Sequence, residues 1–379
     1  MRRIIALVLT LCGGVAVSAA PQITSQELAP ETPEYTLDNG VLQIKCIPAA
    51  SGLITGFKYL PEQRQMIFPH KFTLVQDDLL PSRVSMRPCG MRELANRTKM
   101  EYFIGYRVKD ARTTPAAAVL QLYSRAFYRH NMIADKTVTL PAGSSKISVR
   151  MDLTSQVKTE PVIFWINALA NLDTTRDTTL VPVQKNAAPR YKYSMNIFDT
   201  TGVYVDKFII PQTLFAAPLK PWYGRISSQG KPGVLVLVVR GDAGKRLVEH
   251  GFICGWKSEI MPIHTTELRF AGPEMGKGDK WSFEYDYIYF AKLQQLRDVA
   301  GDYGIDLQGN TLHIASAVMA APGTMKLTWD GGAAEVALPA LKPGEVFKYE
   351  LSAGAKNISG TMPGGEKFDI PALLTEQYK

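Results

Sequence analysis

The sequence predicts an all-β fold, on three observations. Short runs rich in β-branched and aromatic residues recur from Tyr35 onward and are cut by Gly, Pro and Asp, as in "GVLQIKCIP", "AVLQLYSRAFY" and "WSFEYDYIYF". Several alternate: Ile147, Val149, Met151 and Leu153 interleave with Lys146, Ser148, Arg150 and Asp152. A period of two over this length is the pattern of an antiparallel strand with one buried face. Helical spacing, the third observation, is scarce.

Taken in order, the chain opens "MRRIIALVLTLCGGVAVSAAPQ". Arg2 and Arg3, the apolar run Ile4 to Leu11 and the small residues Ser18, Ala19 and Ala20 predict a signal peptide over residues 1–20. The expected location is therefore secreted, periplasmic or extracellular. No later stretch approaches the ~18 uninterrupted apolar residues of a membrane span. Residues 21–33, with Pro21, Pro30 and Pro33, read as an extended arm. The long run of strand candidates then occupies residues 34–290. Next comes "FAKLQQLRDVAGDYG", where Leu293, Leu296, Val299, Ala300 and Tyr303 recur at helical spacing before Gly304. That spacing predicts a linking helix over residues 291–304 with a glycine stop. Beyond it, "TLHIASAV", "TMKLTWDG", "AEVALPAL", "VFKYELSAG" and "KNISGTM" predict a small β-sandwich of immunoglobulin-like type over residues 305–379.

Charge and cysteine use narrow the class. The net charge of +8 is spread without a block of five or six basic residues, which suits an anionic polysaccharide or plain solvation. Nucleic acid is not an expected partner of a secreted chain. With Cys12 in the leader, Cys46, Cys89 and Cys254 remain. Three thiols make no disulfide framework, although one bridge is allowed, and buried apolar thiols are expected.

Three stretches resemble a known superfamily. "YTLDNGVLQIKCIPAASGLITGFKYLPEQRQMIF", from Tyr35, is similar to the opening strands of the galactose mutarotase-like supersandwich proteins. "DKTVTLPAGSSKISVRMDLTSQ" resembles their paired strands before the central region, and "GPEMGKGDKWSFEYDYIYF" their closing turn and strand. The resemblance spans about residues 35–290. It implies a large antiparallel β-supersandwich ahead of the helix and the small sandwich, and a carbohydrate as partner. Mutarotases proper carry a motif close to "NHxYFNL", whose histidine protonates the sugar ring oxygen. Against it "INALANL" keeps Asn171 and Leu172 but has Asn167 in the histidine's place. A carboxamide exchanges no proton near neutral pH.

Candidate site residues follow from residue type. In "FWINALANLD", Trp165 sits among Phe164, Ile166, Ala168 and Leu169 and reads as core, while Asn167 and Asn171 read as presented to a ligand. "SRAFYRHNM" gathers Tyr128, Arg129 and His130. Lyases of related folds use such types to neutralise a uronate carboxylate and remove a proton. Tyr128, Arg129, His130 and Asn167 are thus the catalytic candidates. Flat aromatic faces in "KPWYGR" and "CGWKSE" make Trp222, Tyr223, Arg225 and Trp256, with Asn171, the substrate-binding candidates. None of the histidines His70, His130, His250, His264 and His313 forms an HxH or HExxH pattern, so no metal is expected. "GDAGKR" is too short for a phosphate loop and no GxSxG elbow occurs, so no cofactor is expected. Whether the chain is an enzyme stays open. If it is one, lyase or glycoside hydrolase chemistry is preferred over aldose 1-epimerisation. The competing reading is a non-catalytic periplasmic or surface scaffold, and the oligomeric state is not legible.

Overall fold

Alternating residues become sheet throughout the computed structural model, which describes residues 20–67, 90–95, 105–128, 131–169, 177–190, 195–207, 213–226, 231–258 and 263–375. The chain begins with β1 (Gln22–Ala29), β2 (Thr32–Asp38), β3 (Leu42–Ile47), β4 (Leu53–Tyr59), β5 (Arg64–Gln65) and β6 (Gly90–Ala95). It continues through β7 (Arg107–Thr113), β8 (Ala117–Phe127), β9 (Met132–Pro141), β10 (Lys146–Ser155), β11 (Ile163–Leu169), β12 (Thr178–Val183) and β13 (Gly202–Asp206). Then follow β14 (Thr213–Ala216), β15 (Trp222–Ile226), β16 (Gly233–Val239), α1 (Gly241–Glu249), β17 (Phe252–Ser258), β18 (Ile263–Ala271) and β19 (Lys280–Ala291). The C-terminal part holds β20 (Asp298–Ala300), β21 (Tyr303–Gln308), β22 (Thr311–Ser316), β23 (Gly323–Trp329) and β24 (Gly332–Leu338). It ends with β25 (Val346–Glu350), β26 (Ser359–Thr361), β27 (Lys367–Asp369) and β28 (Leu373–Thr375).

Two ten-stranded sheets make the large sandwich. The first runs β1-β2-β3-β4-β6-β11-β18-β17-β14, with β5 on β4, and the second runs β28-β13-β12-β15-β16-β19-β10-β9-β8-β7. Their pairings are antiparallel except that of β28 with β13, which is parallel. The main core lies between them, and the alternating residues Ile147, Val149, Met151 and Leu153 of β10 all enter it. The all-β, antiparallel reading therefore holds. Residues 22–29, expected as an extended arm, pair with β2 as the edge strand of the first sheet.

A fully buried ion pair spans this core. Lys136 on β9 meets Glu93 on β6 at 2.7 Å, with side chains 0% and 1% exposed. Lys136 also donates to the Gly52 carbonyl at 2.9 Å, and the Tyr285 hydroxyl donates to Glu93. These extra bonds offset the several kcal/mol that desolvating each charge costs. Burial among the same strands pushes the Cys46 thiol up to about 12, leaving an inert free thiol.

The second sheet is buried on both faces where β12, β13, β15, β16 and β19 meet the C-terminal part. All seven residues of β16, "GVLVLVV", are buried, which is why that run lacks alternation. Leu293, Leu296, Ala315 and Ala317 close the second cluster from the other side. Two four-stranded sheets, β20-β21-β22-β25 and β24-β23-β26-β27, then enclose a third core around Leu312, Met325, Leu327 and Phe368.

Residues 291–304 do not form the expected helix. Leu293 and Leu296 pack into the second cluster, whereas Ala300 and Tyr303 pack into the third. Their spacing serves two cores in turn, which an extended chain does and one helical face does not. Gly304 is no helix stop: it lies in β21, where an added Cβ would stand 2.7 Å from the Phe290 ring. The one α-helix among the described residues is α1, within "GDAGKRLVEH", where Ala243 and Leu247 enter the main core.

Candidate functional site

β18 alternates between two environments. Leu268 and Phe270 enter the core between the large sheets, so Thr265, Glu267 and Arg269 belong to the outward face of the first sheet. Cross-strand register then assembles a row across that face: Arg92 of β6 pairs with Asn167 of β11, which pairs with Glu267 of β18, which pairs with Cys254 of β17. The next row joins Leu94, Trp165, Arg269 and Phe252. On the other side Trp256 holds the register position opposite Thr265.

The chemistry of these rows is ionic and almost enclosed. Arg269 donates from Nε to Glu267 Oε2 at 3.1 Å and from its terminal nitrogen to the same oxygen. Its guanidinium carbon lies 3.6 Å from the Trp165 ring centroid and 5.1 Å from that of Phe252. Stacking of this kind contributes about 2 kcal/mol when desolvated. It also occupies one face of the Trp165 ring, so that indole serves the arginine. The side chains of Arg269 and Glu267 are 5% and 13% exposed, and Arg92 is 3% exposed. A nearly buried carboxylate paired with a guanidinium at the centre of a sheet is costly to bury for stability alone. What it offers is a fixed acceptor and fixed donors, the groups that sugar hydroxyls require.

Chain from the second sheet flanks the row. Met195, Ala217, Phe252 and Cys254 form a separate apolar cluster with Ala187 and Phe215, so the connection after β12 packs on the outward side of β17. Arg190 in that connection donates to the carbonyls of Val248, at 3.0 Å, and Gly251. Among the described residues no three His, Cys, Asp or Glu side chains stand together as metal ligands.

Of the residues singled out in the sequence, register brings Asn167 and Trp256 to strands of this site. Trp222, Tyr223 and Arg225 stand on β15, in the opposite sheet, and none presents a face to solvent. Trp222 is 1% exposed in the second cluster, and Tyr223 is 3% exposed in the main core, where burial raises its phenol above the ordinary value. The reason is that β15 is covered on both faces. Arg225 is fully buried and reaches across the sandwich, donating to Thr266 Oγ1 at 2.8 Å, immediately beside Glu267 in β18. Burial lowers its guanidinium from the ordinary value, against the opposing fields of Tyr223, Asp177 and Asp206. Arg225 therefore braces β18 from inside. Tyr128, at φ 48°, lies in the β8–β9 turn with its ring against the main core. Arg129, His130 and Asn171 lie outside the described residues. Sequence reasoning singles out neither Arg92 nor Glu267. The available signal was charge alternating with large apolar residues in "TTELRF" and "GMRELA".

No family model matches the sequence, and no curated protein matches it. Solved structures do. The YeaD protein of Salmonella typhimurium, assigned as a mutarotase, is similar at a TM-score of 0.52 and 7% identity, over 71% of this chain and 94% of that one. The large sandwich has the galactose mutarotase-like fold. A galactose mutarotase-like protein from Clostridium acetobutylicum is also similar, at 10% identity and a TM-score of 0.49, over 72% of this chain and 99% of that one. So is a galactose mutarotase related enzyme from Lactobacillus acidophilus, at 9% identity and 0.43, over 69% and 99%. At these identities the likeness concerns the mutarotase-like fold alone.

Proposed function

We propose that this protein binds a carbohydrate on the outward face of its first sheet, with Glu267 as the central hydroxyl acceptor and Arg92 as a donor. Asn167 and Trp256 complete the site from the neighbouring register positions. The observation that supports this most is the cross-strand row Arg92, Asn167, Glu267, set on the mutarotase-like fold. The named relatives of the fold are mutarotase-like, which makes a sugar the first ligand to test. Asn167 stands where the mutarotase motif has its histidine, so ring-oxygen protonation is not served from there. Processing by lyase or hydrolase chemistry is accordingly preferred over aldose 1-epimerisation. In this reading residues 1–20 direct the chain out of the cytoplasm, where it meets its glycan.

The test is calorimetric titration of the protein from Pro21 onward with neutral and acidic oligosaccharides, followed by mass spectrometry of the products. Saturable binding supports the reading. Unsaturated fragments identify a lyase and hydrated fragments a hydrolase. Folded protein that binds none of the saccharides would leave a scaffold in which the charged row serves packing only.

A further inference from the structure

A cavity of 690 Å³ opens beside the small sandwich and shares no residue with the charged row of the first sheet. One wall is built on the strand row of Asp306, His313 and Lys348, which register sets side by side on β21, β22 and β25. Leu312 and Ile314 of β22 enter the third core, so His313 takes the opposite face, the one on which Ala315 meets the second cluster. His313 and Lys348 line the cavity there, and Pro339, Ala340 and Leu341 form an apolar side of it. Lys292, from the chain that leaves β19, lines it too. Its backbone sits at φ 65°, a value that residues other than glycine seldom take, with its N–H bonded to the Pro232 carbonyl at 3.2 Å.

His313 is the observation that points to an occupant. The residue is 8% exposed, neither ring nitrogen has a hydrogen-bond partner among the described residues, and neither is closed off from solvent. Buried polar side chains are mostly bonded, so a bare imidazole lining a cavity calls for a partner inside it. Asp306, its neighbour in the row, is already engaged: one carboxylate oxygen accepts from the Leu307 N–H and the other from the Gln308 carboxamide, each at 2.8 Å. Burial keeps the imidazole neutral near pH 7, with one N–H to donate. Lys292 and Lys348 make no ion pair among the described residues, whereas Glu345, the acid of the lining, accepts from the Lys342 N–H at 2.9 Å. The lining thus carries one positive charge in excess, which matches a monoanion, and a dianion would add repulsion from the buried Asp306 carboxylate. The apolar side suits a ligand body that an inorganic ion lacks.

We infer that this cavity binds an organic monocarboxylate, its acid group accepting hydrogen bonds from His313 and Lys348 and its body lying against Pro339, Ala340 and Leu341. Two sources offer that chemistry, a non-sugar acid with an apolar ring and the uronate residue of a saccharide. The inference does not depend on the carbohydrate reading of the first sheet.

Calorimetric titration of the protein with benzoate and glucuronate at pH 7 and constant ionic strength tests the assignment, with benzyl alcohol and glucose as counterparts lacking the acid group. At least one acid is expected to bind saturably, and about tenfold or more tighter than its neutral counterpart. His313→Phe keeps a ring without nitrogens and Lys348→Met keeps the stem without the charge; each is expected to weaken binding about tenfold or more. Lys348 is exposed, so its variant tests the site even if the His313 variant fails to fold. The tighter of the two acids assigns the source. The inference is overturned if neither acid binds saturably, if Lys348→Met binds as tightly as the wild type, or if the neutral counterparts bind as tightly as the acids. Glucuronate binding that is lost in Glu267→Gln but kept in Lys348→Met would place the acid on the first sheet, overturning this inference and leaving the carbohydrate reading intact.

Discussion

Glu267 and Arg269 are two residues apart, yet their roles are set by partners far away in sequence. Arg92 arrives through the register of β6 with β11, and Arg225 by a hydrogen bond from the opposite sheet to Thr266. Residue type alone made Asn167 legible, because an amide within an apolar run stands out. The cross-strand row of Arg92, Asn167 and Glu267 is not legible, since pairing between distant strands leaves no local pattern. The buried pair of Lys136 and Glu93 carries a sharper energetic consequence. Lys136→Met alone should cost about 3–5 kcal/mol in chemical denaturation, because it strands a buried carboxylate. The double variant Lys136→Met/Glu93→Leu should recover most of that loss; a double variant as unstable as the single one would contradict this account. His313 predicts a pH effect. Burial holds its imidazole below the ordinary 6.5, reinforced by Lys348 and opposed by Asp306 and Glu350. The unfolded chain then takes up a proton near pH 6.5 that the folded chain refuses, so stability falls as pH drops below that value. His313→Gln should lose less melting temperature than the wild type between about pH 7.5 and pH 5.5; equal losses would exclude this residue as the cause.

At the scale of elements, period-two alternation was a dependable guide where one face meets the main core, as in β9 and β10. It failed for β16, whose two faces meet two cores, and for β20 and its approach, whose residues mimic a helical stripe. α1 was missed for the converse reason, because two glycines and an aspartate mask its short apolar face of Ala243 and Leu247. Gly304 tests the corrected assignment. An alanine there places its Cβ against Phe290, and overpacking of this kind should cost about 1–3 kcal/mol in a denaturation midpoint analysis. A neutral Gly304→Ala would mean that β21 does not pack on β19 as described.

For the whole molecule, the chain leaves the large sandwich after β19, builds the small one, and returns as β28 beside β13. The two sandwiches are thus tied at both ends, and the second cluster fills the space between them. Ending the chain after Asp369 removes that return strand and should lower the melting temperature of the entire protein by several degrees; an unchanged transition would show that β28 contributes nothing. The return is too short to be read in the sequence, and the mutarotase-like architecture was legible only because several strand-and-turn stretches carried it together. The proposed sugar site on the first sheet turns on Glu267. The most direct measurement is the affinity of the best saccharide for wild type and Glu267→Gln, compared by calorimetry at matched thermal stability. A loss of about tenfold or more is expected, since a charged acceptor becomes a neutral amide. Equal affinities would place the sugar away from Glu267 and rule out the proposed row.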